Sequence, residues 1–294
     1  MLFGKTAVSS VVLTAGCKVN LFLRITGRRK DGYHTLDSLF WPLDLPCDSL
    51  TVTSTIFDGL QFSCSEPDLE TPNNIVVKAY EAFARKTSFA PNLSVHLQKN
   101  IPFGAGLGGG SSDAATLLLY LNQSMLAETA TCLTDAELAE LGARLGADVP
   151  FFFSNTPSRI SGIGEVVTPL SGSDIDVFRG MHLVLVCPRV HVATAWAFNV
   201  WDKKNPMGGL TNEDENDTSP LVQRIRIQND LNQVVFERYP VIQETVALLE
   251  QFNAVASMSG SGSSVFGLFR NKCDAENAIR YFCQNGERVF YHIL

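Results

Sequence analysis

Between Pro102 and Ala115 the chain reads PFGAGLGGGSSDAA, with Gly104, Gly106, Gly108, Gly109 and Gly110 set directly before the apolar run Leu117, Leu118, Leu119 and Leu121. Without a Cβ, glycine reaches positive φ and lets backbone N–H groups close on an anion; a helix starting here adds its positive N-terminal end. The pattern predicts a phosphate cradle feeding a buried helix. A purely flexible hinge is the weaker reading, because each glycine costs about 1 kcal/mol relative to alanine if nothing is gained. Gly104, Gly106 and Gly109 also satisfy the loose G-x-G-x-x-G dinucleotide spacing, but Pro102 breaks the strand-to-turn entry and no early βαβ unit frames it. A G-x-x-x-x-G-K-[ST] loop is excluded, since Gly109 is followed by Gly110 and Ser111 with no lysine.

The 294 residues suffice for two domains, each with its own core, and 45% hydrophobic against 18% charged residues argues for a folded chain. A net charge of -7 provides no general basic field, so nucleic acid is not an expected partner and a small phosphorylated ligand must be held by local geometry. Cys17, Cys47, Cys64, Cys132, Cys187, Cys273 and Cys283 are scattered and show no C-x-x-C spacing, against both a zinc site and a disulfide framework. No metal-ligating protein cluster is expected, and a reducing cytoplasm is the expected location. Lys5, the run VSSVVL and Thr14-Ala15-Gly16-Cys17 resemble a lipoprotein cleavage site. The apolar part is shorter than the ~7 to 15 residues of a signal core, and no stretch reaches the ~18 apolar residues of a spanning helix, so no membrane partner is expected.

Val19, Leu21, Leu23 and Ile25 alternate with Lys18, Asn20, Phe22 and Arg24, the period of a half-buried strand that puts Lys18 and Asn20 on one face. Asp31-Gly32 predicts a tight turn into an extended segment at Tyr33-His34. Val76, Ala79, Tyr80 and Phe83 mark a helix over about Asn74 to Lys86, and Leu93, Val95 and Leu97 a strand. The helix after the glycine loop is apolar on nearly every side and should lie deep, with Asp113 as a cap. Thr134 and Glu137 form a capping box before Leu138, Leu141 and Leu145, with Gly146 as the stop and Asp148 just beyond it. From about residue 156 the pattern restarts with strands at Leu183 to Cys187, Val265 to Phe269 and Val289 to Ile293, and helices at Val241 to Phe252 and Ala275 to Cys283. This predicts an α+β chain with domains at 1–155 and 156–294, carrying a polar, acidic surface loop from Gly208 to Pro220.

Pro102 followed by Gly106-Leu107-Gly108-Gly109-Gly110-Ser111-Ser112-Asp113-Ala114-Ala115, together with Lys18-Val19-Asn20-Leu21 and Ser259-Gly260-Ser261-Gly262-Ser263-Ser264-Val265-Phe266, closely resembles the three motifs of the GHMP kinases. The resemblance implies a two-domain α+β fold: an N-terminal ribosomal-protein-S5-domain-2-like domain, a C-terminal ferredoxin-like α/β plait, and an active site in the cleft between. It implies ATP and Mg²⁺, with phosphates on Pro102, Gly104, Gly106, Leu107, Gly108, Gly109, Gly110, Ser111 and Ser112, a serine hydroxyl available to the metal, and Asn74 and Lys99 near the nucleoside. Lys18 and Asp148 match the catalytic pair.

Thr26-Gly27-Arg28, Asp31-Gly32-Tyr33-His34-Thr35-Leu36 and Gly146-Ala147-Asp148-Val149-Pro150-Phe151-Phe152 are similar to a branch serving the non-mevalonate isoprenoid route, whose small-molecule acceptor carries a cytidine diphosphate moiety. In that branch Asn20, Tyr33, His34 and Phe198 would bind the substrate. A tyrosine ring offers a flat face for stacking on a base, and a histidine both donates and accepts at its edge. The chain departs from the pattern at Gly16-Cys17, where relatives usually carry proline or serine and then alanine. A monomer or weak homodimer is expected. Mevalonate- or homoserine-type kinases and, further off, a dinucleotide-dependent oxidoreductase are the competing readings.

Overall fold

The computed structural model describes residues 10–206 and 227–294, so the acidic stretch from Gly208 to Pro220 lies outside the described residues. The chain forms two compact units: one takes the start of the chain through Gly16, Pro46–Ile101 and Gly109–Ser154, the other Cys17–Leu45, Pro102–Gly108 and Asn155–Leu294. Two long paired strands, β1 (Ser10–Arg28) and β2 (His34–Ser54), contribute residues to both. Sequence periodicity predicts only part of each, because β1 begins well before Lys18 and β2 carries no strict alternation.

In the first unit the later part of β2 pairs antiparallel with β4 (Leu93–Gln98), from Ser49 opposite Gln98 to Ser54 opposite Leu93, and β4 pairs parallel with β3 (Leu60–Cys64). Its helices are α1 (Ile75–Thr87), α2 (Gly109–Thr129), α3 (Asp135–Leu145) and α4 (Phe151–Ser154). α1 buries Val76, Ala79, Tyr80 and Phe83, the stripe its spacing predicts. The expected capping box of α3 is formed, Thr134 Oγ1 accepting from the Glu137 amide while the Glu137 carboxylate accepts from the Thr134 amide.

Two expectations need correction. α2 is buried only through its first half, at Ala114, Ala115, Leu117, Leu118 and Leu121; beyond Gln123 it turns exposed, with Leu126 open to solvent. Gly146 does end α3, but at φ -174 its backbone is extended and a Cβ would meet only ordinary contacts, so the stop does not depend on glycine.

In the second unit the early part of β2 pairs with β5 (Ser158–Ser161), and β5 with β6 (Val166–Pro169). A separate antiparallel sheet runs β10 (Arg288–Ile293), β7 (His182–Cys187), β9 (Val265–Phe269), β8 (Val255–Met258). The helices of this unit are α5 (Gly172–Asp176), α6 (Thr194–Lys204), α7 (Asn232–Arg238), α8 (Pro240–Gln251) and α9 (Lys272–Gln284), of which α8 and α9 pack on the sheet. The core joins Leu23 and Ile25 of β1 to Val184, Val186, Trp201, Ile242, Leu249 and Phe269. β1 is therefore not half-buried. From Cys17 to Leu23 both faces are covered, which carries Lys18 and Asn20 into the interior.

Candidate active site

The glycine loop lies in the second unit up to Gly108 and runs into α2 at the next residue. Gly104, Gly106 and Gly108 have φ of +64, +74 and +71, whereas Ala105 and Leu107 between them stay out of the positive-φ region. Alternating hand turns successive N–H groups toward one concavity, the geometry of an anion-binding nest. Three carbonyls of the loop are taken up by neighbouring donors. Ala105 O accepts from the Ser264 amide at 3.0 Å, Gly106 O from Ser259 Oγ at 3.0 Å and Leu107 O from the Lys18 amide at 3.0 Å. The amides of Gly106, Leu107 and Gly108 donate to no backbone carbonyl among the described residues. The loop is also closely fitted: a Cβ on Gly104 would enter the His191 ring, and one on Gly106 would lie 2.0 Å from the Ser259 carbonyl oxygen. A phosphate chain suits this cradle, because it needs converging donors and close backbone approach.

The first turn of α2 has further unpaired donors as any helix N-terminus does. Within it Ser112 is buried and Ser111 half-buried, so Ser111 is the more accessible hydroxyl. Asp113 is not a cap. It sits inside α2, where its Oδ2 accepts from Lys99 Nζ at 2.8 Å, and Lys99 also binds Asp48 Oδ2. Asp48 Oδ1 in turn accepts from the amides of Asn100 and Ile101, fixing the chain just before the loop. One ammonium cannot neutralise two buried carboxylates. Burial pushes the Asp113 carboxyl up to about 7, Asp48 adding to the rise and Lys99 opposing it. Burial alone would lower Lys99, but the two carboxylates outweigh it and raise it.

The sign for stability follows from linkage. A carboxyl raised from 3.8 to about 7 keeps its proton in the native state over a range where the unfolded chain has lost it, so its contribution declines as pH climbs through that window. Asp113→Asn is expected to remove this decline, altering the change in unfolding free energy between about pH 4 and 7, read from urea titrations, by on the order of a few kcal/mol. Parallel wild-type and variant profiles would show that Asp113 does not titrate there.

Asn74, expected near the nucleoside, caps α1: its Oδ1 accepts from the Val76 amide at 2.9 Å and its Nδ2 donates to Leu69 O at 2.9 Å. Lys18, 4% exposed, donates from Nζ to Asn20 Oδ1 at 2.5 Å and lies 4.2 Å from the centroid of the Phe40 ring. Asn20 Nδ2 donates to Ser38 Oγ at 3.0 Å, Ser38 Oγ to Phe22 O at 2.5 Å, and the Asn20 amide to Ser259 Oγ at 3.1 Å. The lysine head is thus fixed by a buried polar chain. Asn20 spends one lone pair and one N–H hydrogen on that chain, out of two of each.

Asp148 lies in the first unit, half-buried in the turn between α3 and α4. The Val149 amide donates to Gly146 O at 3.1 Å and the Phe152 amide to Val149 O at 3.1 Å, while Val149 and Phe151 are fully buried, so the turn is held on both sides of the aspartate.

The turn at Asp31-Gly32 forms as expected, Gly32 taking φ +91 and its amide donating to Arg29 O at 3.0 Å. Tyr33 follows at 60% exposure, an aromatic face open to solvent. His34 stacks on Phe198 of α6 with centroids 4.9 Å apart and rings inclined by 23°, which brings together two residues 164 positions apart that the family resemblance implied for one base pocket. Trp201 closes on the His34 ring edge-on at 5.8 Å. Asp202, which sequence reasoning missed, meets His34 Nε2 at 2.6 Å and Arg28 at 3.4 Å. Among the described residues no group of three or more histidine, cysteine or acidic side chains could hold a metal, and no helix is long and apolar enough to cross a membrane.

Residues 74–156 match the family described as GHMP kinases N terminal domain, and residues 214–288 match GHMP kinases C terminal. A 4-diphosphocytidyl-2-C-methyl-D-erythritol kinase of Nitratidesulfovibrio vulgaris is 42% identical over 97% of this chain and 99% of its own length. The enzyme of that name from Oleidesulfovibrio alaskensis is 39% identical over 98% and 99%. Among solved structures, a 4-(cytidine 5'-diphospho)-2C-methyl-D-erythritol kinase superposes with a TM-score of 0.74 at 30% identity, covering 96% of this chain and 98% of that one. A homoserine kinase from Cytophaga hutchinsonii shares the fold at a TM-score of 0.67 and 18% identity, over 100% of this chain and 96% of its own.

Proposed function

The chain belongs to the GHMP kinases, among the 4-diphosphocytidyl-2-C-methyl-D-erythritol kinases, and on that premise we infer that it transfers the γ-phosphoryl group of ATP to the 2-hydroxyl of 4-diphosphocytidyl-2-C-methyl-D-erythritol, an isoprenoid precursor, in the cytoplasm. The observation that carries this reading is the alternation of backbone hand through Gly104, Gly106 and Gly108.

Phosphoryl transfer in a largely dissociative transition state asks the protein for positioning and charge stabilisation more than for covalent chemistry. The amides from Gly106 to Ser112 receive the β- and γ-phosphates, with Pro102 and Gly104 setting the entry to the loop. Magnesium, when bound with the nucleotide, would supply charge neutralisation at the phosphates, and a Ser111 or Ser112 hydroxyl would hold it, Ser111 being the more accessible of the two. Asn74 and Lys99 serve the nucleotide by fixing the segments that flank the loop, the one as cap of α1 and the other between Asp48 and Asp113.

Lys18 contacts the attacking oxygen and stabilises alkoxide character as it develops. Its position is preset by Asn20 and Phe40, so no side-chain entropy is lost at the moment of reaction. Asp148 orients the acceptor hydroxyl and takes its proton late. A carboxylate is a weak base toward an alcohol, but slight bond-making to the attacking oxygen makes orientation count for more than basicity. Tyr33 stacks on the cytosine and His34 reads its edge, backed by Phe198.

ADP release from purified protein with ATP and Mg²⁺ tests the assignment. Turnover is expected with the diphosphocytidyl substrate and not with mevalonate or homoserine; preference for either of the latter overturns it. Tyr33→Ala is expected to raise KM for the cytidyl substrate by about 10- to 100-fold with KM for ATP unchanged, as loss of a stacking face of ~1–3 kcal/mol requires. Equal effects on both substrates would move the base pocket elsewhere.

A further inference from the structure

Asp202 has no part in the chemistry described so far, yet its carboxylate is held on two sides. Oδ1 lies 2.6 Å from His34 Nε2 and Oδ2 lies 3.4 Å from Arg28 Nη2, with only 16% of the Asp202 side chain exposed. Phe198 and Trp201, on the same turns of α6, fix the imidazole plane from its face and its edge. The ring therefore has one orientation, and 9% side-chain exposure leaves it little room for another.

An ionised carboxylate only accepts hydrogen bonds, so the contact at Nε2 requires the proton to be on that nitrogen. In the neutral ring this makes Nδ1 an acceptor. No protein donor meets Nδ1 among the described residues. An acceptor at that atom suits the exocyclic amine of a cytosine and opposes the keto oxygen that uracil carries at the same position, because two acceptors facing each other leave both unpaired.

We propose that Asp202 is a positioning residue that sets base specificity: by holding the proton of His34 on Nε2 it presents Nδ1 as an acceptor and selects a cytidine over a uridine diphosphate substrate. This rests on the reading above that the base lies at Tyr33 and His34. Asp202 itself touches no substrate in this arrangement and acts through the imidazole. Replacement by asparagine leaves one oxygen and one NH₂; with the oxygen turned to Arg28, which only donates, the NH₂ faces Nε2, moves the ring proton to Nδ1 and converts the acceptor into a donor. Replacement by glutamate keeps an acceptor-only partner.

The test compares kcat/KM for the 4-diphosphocytidyl substrate with that for its 4-diphosphouridyl analogue, at a pH on the alkaline side of the ordinary histidine range. The cytidyl-to-uridyl ratio is internal to each preparation and is unaffected by a loss of active fraction, so it remains readable in a poorly folding variant. Asp202→Asn is expected to lower the ratio at least about 10-fold, through a higher KM for the cytidyl and a lower KM for the uridyl substrate, with kcat for the cytidyl substrate retained. Asp202→Glu is expected to keep most of the discrimination. If Asp202→Asn weakens both substrates equally, or leaves the ratio in place while His34→Ala abolishes it, Asp202 does not set specificity and the base-pocket reading survives. If His34→Ala also leaves the ratio unchanged, the base lies elsewhere and both readings fall.

Discussion

Replacing Asp148 by asparagine is expected to lower turnover by about 10²- to 10⁴-fold while ATP binding is retained. The substitution preserves shape and the capacity to accept one hydrogen bond, and it removes the negative charge and the site that receives the proton. The turn itself should survive. It is held by the Val149 and Phe152 amides, which donate to Gly146 O and Val149 O, and by buried Val149 and Phe151. A fall in kcat with KM for ATP unchanged identifies an interaction made in the transition state rather than in the ground state. Asp148→Glu separates the two roles assigned to the residue: it keeps the base but displaces it by a methylene, so a loss approaching that of asparagine would show that orientation dominates. Near-normal turnover in Asp148→Asn would remove the residue from the mechanism.

Much of the site is legible in the sequence because its determinants are local. Glycines at every second position dictate the loop's alternating hand, and Asp31-Gly32 dictates the turn before Tyr33. The capping box at Thr134 likewise fixes where α3 begins. Side chains whose partners lie far away in the chain were harder to read. Lys18 and Asn20 look like the wet face of a strand; what buries them is Phe40, Ser38 and Ser259. Asp113 looks like a cap, and only the approach of Lys99 from the end of β4 turns it into one arm of a buried ion cluster.

Asp202 gave no signal at all. An acidic residue followed by Lys203 and Lys204 on an amphipathic helix is the pattern of a solvated face, and its partner His34 is 168 residues away. Asn74 illustrates the opposite case, where a residue brought forward by resemblance also has a local task that its position at a helix start explains unaided.

Gly106→Ala is expected to cost about 10²-fold in kcat/KM for ATP, together with about 1 to 3 kcal/mol of stability. The added methyl would sit 2.0 Å from the Ser259 carbonyl oxygen and 3.1 Å from the Gly262 nitrogen, and φ is +74, a region where any L side chain is strained. The obstacle cannot step aside. Ser259 is anchored by its amide to Ser264 O at 2.8 Å, by its carbonyl to the Gly262 amide at 2.9 Å, and by its hydroxyl to both Gly106 O and the Asn20 amide. The loop must therefore move, and the convergence of its amides goes with it. Because Ser259 also meets Asn20, which holds Lys18, the disturbance is expected to reach the lysine and lower kcat as well as ATP affinity. Gly104→Ala should be milder, since there the clash is with the exposed His191 side chain rather than with backbone, although φ of +64 keeps its own strain. Gly172→Ala is the control: nothing lies within 4 Å of its Cβ and its φ is not positive, so stability should change by less than about 0.5 kcal/mol. ATP kinetics for Gly106→Ala within twofold of the parent would show that the phosphates are held somewhere other than this loop.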